Sequence, residues 1–166
     1  MTNAIRILGL DPGLRRTGWG VVAVEGARLS HLAHGVIAAP EQLSLAERLL
    51  AIHRGVAEAI SAWAPDEAAI EETFVTANGS STLKLGHARA AAMLAPAAAG
   101  LSVAEYAAKV VKKALVGTGG ADKAQVAFMI KRLLPTAGDP KADAADALAV
   151  AICHAHSRTA HRGYAA

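Results

Sequence analysis

Ile5-Arg6-Ile7-Leu8-Gly9-Leu10-Asp11-Pro12-Gly13 decides the architecture. Its apolar run is too short for a helix and stops at a Pro-Gly breaker, so residues 5–11 read as a buried strand. Two more strand patterns follow, over residues 17–24 and 28–37, with Glu25-Gly26 as the turn between them. Turns this short join antiparallel neighbours, so the three strands make a meander. Leu45, Leu49, Ile52, Val56 and Ile60 then recur at helical spacing, placing a helix over 43–63 that Pro65-Asp66 ends.

Further along, Ala68-Ala69-Ile70-Glu71-Glu72 reads as a short fourth strand. Residues 76–81 (TANGSS) are polar and contain glycine, which predicts a mobile loop. A helix is expected over 82–99, with Pro96 as a point of breakage, and a fifth strand over 101–104. Helices over 106–116, 122–134 and 142–157 complete the pattern, separated by Gly117-Thr118-Gly119-Gly120 and by 135–140. The expectation is an α/β fold: a mixed five-stranded sheet, three antiparallel strands then parallel ones, flanked by helices. No repeat or linker divides the chain, so residues 1–158 form one domain and 159–166 a flexible tail.

Composition narrows the function. The chain has 166 residues, 53% hydrophobic but only 4% aromatic, so one aliphatic core is affordable and disorder is excluded. Its longest apolar run, 90–101, is twelve residues with Pro96 inside, where a membrane span needs about twenty. The first residues carry no secretion signal, and the lone Cys153 excludes an intrachain disulfide, so the expected compartment is the cytoplasm. Residues 1–83 carry a net charge of −3 and residues 84–166 carry +6. A basic half suggests a polyanion such as nucleic acid, although on charge alone solvated helix faces are the more ordinary explanation.

The carboxylates carry the chemistry. Asp11 closes an apolar strand just where Pro12-Gly13 turns the chain away, at the sheet end where open α/β sheets build sites. Asp-Pro-Gly is also ordinary turn chemistry. Glu71 is the first polar residue after Ala69-Ile70, and Glu72 must point to the opposite face, so Glu71 is the better companion for Asp11. Asp143 and Asp146 lie three apart and share a helix face. Acids at a helix start also oppose its dipole. Here, however, alanines surround both, and a small-residue face lets a helix press against a sheet. These four acids from three separated segments are hard oxygen donors suited to Mg²⁺ or Mn²⁺. Two such ions about 3.5–4 Å apart can activate water and stabilise a leaving oxygen in phosphodiester cleavage.

Leu8-Gly9-Leu10-Asp11-Pro12-Gly13, Thr17-Gly18-Trp19-Gly20, Ala69-Ile70-Glu71, Leu83–Arg89 (LKLGHAR) and Ala142–Leu148 (ADAADAL) together resemble the RuvC family of bacterial Holliday-junction endonucleases. The resemblance spans residues 5–157 in order. It implies a ribonuclease H-like fold, a homodimer, and a Mg²⁺-dependent endonuclease, two ions per site with Mn²⁺ able to substitute. Such an enzyme nicks two like strands of a four-way DNA junction symmetrically during recombination and repair. It implies that Asp11, Glu71, Asp143 and Asp146 are the catalytic, metal-holding acids, with aspartate at 143 where some relatives carry histidine. It further implies work with the RuvA and RuvB branch-migration machine. Phe74 matches an aromatic near the junction centre, and Lys112 and Lys123 match basic residues tied to DNA contact and catalysis. Lys84 and Arg89 are candidate phosphate contacts, and the helix over 82–99 a candidate dimer interface.

Other readings stay open beside it. A non-catalytic junction-binding protein would use the same basic surface. Actin-like nucleotide-binding folds share the strand meander, but they need two lobes where this chain supplies one. Cys153, His154 and His156 look like a soft-metal cluster only superficially, since residues two apart on a helix face different ways. Gly117-Thr118-Gly119-Gly120 lacks the Lys-Ser/Thr of a phosphate-binding loop.

Overall fold

A computed structural model describes residues 4–73 and 75–162. Phe74 and the last four positions of the expected tail therefore lie outside the described residues. Strands β1 (Ile5–Asp11), β2 (Arg16–Glu25) and β3 (Arg28–Ala38) form the antiparallel meander. Helix α1 (Leu45–Trp63) leads to β4 (Glu67–Glu71), which pairs parallel with β1. Helix α2 (Gly79–Ala98) leads to β5 (Val103–Tyr106), parallel to β4, and the five-stranded sheet runs β3-β2-β1-β4-β5. Helices α3 (Ala108–Val116), α4 (Lys123–Leu133) and α5 (Ala142–Arg162) complete the chain. Among the described residues no helix is long and apolar enough to cross a membrane.

Side chains alternate across β1, and the alternation builds a core on each face. Leu8 and Leu10 join Val21, Ile52, Val56, Ile70 and Ala92 beneath α1 and α2. Ile7 joins Val22, Ala69, Val111, Ile130, Leu148 and Ile152 beneath α3, α4 and α5. By the same period of two, Asp11 and Glu71 follow Ile7 and Ala69 onto the face that α5 covers. Glu72 lies past the strand and is exposed. At the far end of α5, Arg158 grips Glu67 through Nε at 2.5 Å and a second guanidinium nitrogen at 2.6 Å. His154 meets the same carboxylate at 2.8 Å and the Tyr106 hydroxyl at 2.8 Å. Burial alone would raise the Glu67 pKa, but the hydrogen bonds and charges of Arg158 and His154 outweigh it and hold the carboxyl below its ordinary range. These bonds pin α5 lengthwise to the sheet. His154 is thereby committed to the framework, and Cys153 beside it is buried.

Several boundaries differ from the sequence expectation. Residues 76–81 are not all loop, because Asn78 caps α2 by accepting from Ser81 N at 3.2 Å and the helix starts at Gly79. The threonine on each side also closes this cap, with Thr76 N donating to Thr82 Oγ1 at 2.9 Å. Pro96 does not break α2: it sits in the last turn, so the bond it cannot make and any bend it causes affect only the final residues of the helix. The fifth strand begins two residues later than expected, at Val103, because Gly100 turns the chain with φ of 78° and Ser102 only then joins β4. Helix α5 continues to Arg162, past the expected end of the domain at 158.

Candidate active site

Three elements deliver acids to one end of the sheet. Asp11 is the last residue of β1, held opposite Gly18 of β2. The turn after it is pinned by Thr17, which is fully buried: its hydroxyl donates to Gly13 O at 3.0 Å and accepts from Gly13 N at 3.3 Å. A Cβ at Gly13 would strike the Arg16 carbonyl, so the tight turn requires glycine there. Glu71 ends β4 beside Asp11, since Leu10 and Ile70 are register partners. Asp143 and Asp146 come from the first two turns of α5.

What brings α5 close is the absence of side chains. A Cβ on Gly18 would overlap the Asp143 carbonyl, and one on Gly9 would overlap the Ala147 carbonyl. Ala144, Ala147 and Ala151 are buried on the helix side of this contact. Glycines facing alanines let the backbones nearly touch, which carries Asp143 and Asp146 over the sheet end. The sequence reading found the alanines but not their glycine partners. Gly in a strand is the signal that marks such an approach.

Crowding shows in the acid strengths. Burial pushes Asp11 up to about 8, and the charges of Glu71, Asp146 and Asp143 push the same way, while Lys123 opposes them. Burial and then Asp146 raise Glu71, against Lys112. Burial and Asp143 raise Asp146, against Lys123 and Lys112. The two lysines reach the site from different helices. Lys112 sits mid-α3, and Lys123 opens α4, where a capping box between Asp122 and Gln125 sets its direction. Glu71, Asp146, Lys112 and Lys123 line one groove. Asp11, Glu71, Thr73 and Thr76 line an adjoining hollow, so Glu71 stands on the shared rim.

The remaining candidates are placed differently. Lys84 is exposed in a neighbouring hollow with Arg15 and Arg48. Arg89 is turned inward: Nε donates to the Glu71 carbonyl at 3.2 Å, and its terminal nitrogen pairs with Glu105. The guanidinium is thus engaged with β4 and β5, whereas the sequence expectation set it against phosphate.

The donor set fits a hard divalent cation. All the acids are oxygen donors, and Asp11 at about 8 means the cluster cannot fully ionise near neutrality without added positive charge. Among the described residues no three Asp, Glu, His or Cys side chains close as a ready-made cage. Mg²⁺ does not need one, because it binds through one or two carboxylates and takes its other ligands from water and substrate phosphate.

Comparison with known proteins agrees with this geometry. The family profile described as crossover junction endodeoxyribonuclease RuvC matches residues 7–154. The RuvC of Caulobacter vibrioides is 66% identical over 157 residues, covering 95% of this chain and 93% of the relative. That of Maricaulis maris is 63% identical, covering 96% of each chain. Among solved structures, Thermus thermophilus RuvC in complex with Holliday junction substrate superposes with a TM-score of 0.88 at 35% identity, covering 95% of this chain and 96% of that one. The yeast mitochondrial Holliday junction resolvase Ydc2, at 12% identity and a TM-score of 0.68, shares the fold. This chain belongs to the RuvC family of crossover junction endodeoxyribonucleases.

Proposed function

We propose that this protein resolves Holliday junctions in the cytoplasm as a homodimer, nicking two like strands of four-way DNA symmetrically with Mg²⁺. One observation carries the reading. Acids from β1, β4 and α5 meet at one sheet end, where burial first and their mutual charge second raise Asp11 to about 8, beside the two lysines of α3 and α4, in a chain of the RuvC family.

Asp11, Glu71, Asp143 and Asp146 would hold the divalent ions, with Mn²⁺ as a substitute. When bound, two such ions supply an activated water and a stabilised leaving oxygen. The chain's own groups do the rest. Asp11 must give up its proton before it can hold a cation, and the buried Thr17 keeps its strand end from shifting. Lys112 and Lys123 place their ammonium groups beside the acids, where they attract the scissile phosphate and keep the carboxylates from repelling it. Water adds to phosphorus, the bridging oxygen departs, and the nick carries a 3′-hydroxyl and a 5′-phosphate.

Helix α2 supports the dimer. Leu83 and Leu94 are 67% and 59% exposed, and a spacing of eleven residues puts both on one stripe with Gly86 and Ala90. A two-fold axis through this stripe presents two identical sites, as paired nicking of a symmetric junction requires. Family membership also supports action beside RuvA and RuvB. The test is cleavage of a synthetic mobile four-way junction. Paired, ligase-sealable nicks with Mg²⁺ and none with EDTA are expected; binding without nicking in Mg²⁺ or Mn²⁺ would leave a junction-binding protein instead.

A further inference from the structure

We infer that Arg89 is a positioning residue for the nuclease site, orienting Glu71 through its main chain and not touching DNA. The inference rests on the reading of Glu71 as a catalytic acid. It starts from the peptide group between Glu71 and Glu72, which is the last of β4. Its N–H, on Glu72, donates to the Tyr106 carbonyl of β5 at 2.9 Å. Its C=O, on Glu71, accepts from Arg89 Nε of α2 at 3.2 Å. Both ends of one peptide are therefore held, from opposite sides, by different elements.

The two holds are joined. A terminal nitrogen of Arg89 pairs with Glu105, the β5 residue next to Tyr106. The circuit runs from the Glu71 carbonyl to Arg89, to Glu105, along β5 to Tyr106, and back through Glu72 N–H. A strand end is normally where backbone frays, and here it must hold a carboxylate steady. With the peptide clamped, rotation about the Glu71 backbone is restricted and the direction of its side chain is set. The Arg89 side chain is only 19% exposed, whereas Glu105 is 49% exposed. That difference suits an anchor seated under the site with its counter-ion at the rim. Only a planar fork reaches both partners: Nε serves the carbonyl while a terminal nitrogen serves the carboxylate. Lysine has the charge but not the two fixed directions.

The test separates this role from phosphate contact. Arg89→Gln and Arg89→Lys are each expected to lower the single-turnover cleavage rate at saturating junction by about 10- to 100-fold, the scale of an ångström-sized misplacement. Junction affinity should stay within about twofold of wild type, with an unchanged slope of log affinity against log salt. A phosphate contact would instead weaken binding, lower the salt slope by about 1, and be largely rescued by lysine. Either that pattern or a wild-type rate would overturn the proposal. Should the Arg89 variants not fold, Glu105→Gln carries the test, with a several-fold loss of rate at unchanged affinity expected and a wild-type rate overturning it. Glu71→Gln is the control: full activity there would sink the reading of the site, whereas an inactive Glu71→Gln beside a fully active Arg89→Gln sinks only the positioning role.

Discussion

An aspartate ionises near 3.8 in an unfolded chain, and Asp11 does so at about 8 in the folded protein. Between those values the folded state holds a proton that the unfolded state has lost, so the Asp11 contribution to stability falls as pH rises from about 4 to 8 and then levels off. Asp11→Asn removes the titration while keeping the volume. In EDTA at pH 8.5 it should melt above wild type by about 2–4 °C or more, the equivalent of ~1 kcal/mol in a domain this size. The gap should narrow as pH falls and close only below about pH 4, where Asp11 is protonated in both states. Added Mg²⁺ should raise wild type alone, and the variant should bind junctions without cutting them. Parallel melting curves across that pH range would show that Asp11 is not strained by its neighbours. Much of this residue-scale picture was legible in the sequence. A period of two puts Asp11 and Glu71 on one face once β1 and β4 are neighbours. Lys112 and Lys123 were not legible from local pattern, since each looks like any lysine on a helix until α3 and α4 are placed over the sheet end. The contacts of Arg89 were illegible for the same reason, because its partners on β4 and β5 are set by tertiary packing.

At the scale of elements, the site depends on how near α5 comes to β1 and β2. That distance is set by backbone at Gly9 and Gly18, against Ala144, Ala147 and Ala151. Gly18→Ala would drive a methyl into the Asp143 carbonyl, a backbone atom that cannot rotate away. The expected cost is about 3 kcal/mol, the upper end for overpacking, or a Tm lower by about 6–12 °C. Because the displaced helix carries both aspartates, cleavage should fall further than stability alone explains. Gly79→Ala is the control, since nothing lies within 4 Å of its would-be Cβ, and it should change neither property. Equal melting of the Gly18 and Gly79 variants would mean that α5 can ride outward at no cost. The strand and helix order could be read from apolar period and breakers, with most ends off by only a residue or two. The start of α2 could not, because Asn78-Gly79-Ser80-Ser81 is a loop by composition and a capped helix only once Asn78 accepts from Ser81 N. No residue pattern says which strand glycine meets which helix alanine.

Under the proposed function, the whole molecule would put two such sites on one junction. Two of its bases stand where the proposed substrate would lie: Lys112 on α3 and Lys123 on α4 line a groove with Glu71 and Asp146, and Lys109 and Lys113 extend the charge along α3. On the opposite core, α2 exposes the stripe of Leu83 and Leu94, the face proposed to meet a second copy. Leu94→Lys places like charges against each other across a two-fold axis and removes an apolar contact, while on the single chain it replaces an exposed side chain. The variant should melt within about 2 °C of wild type at dilute concentration, yet sediment as a monomer where wild type sediments as a dimer. Its junction cleavage should become unpaired, leaving single nicks on a cruciform plasmid in place of linear product. Mixed dimers of wild type with Asp11→Asn chains should give the same single nicks although their interface is intact, because each junction then meets one working site. If the Leu94→Lys protein remains dimeric and linearises the plasmid, the two-fold axis lies elsewhere on the molecule. If it is monomeric but still linearises the plasmid, the two incisions are independent events and symmetry of the protein is not what pairs them.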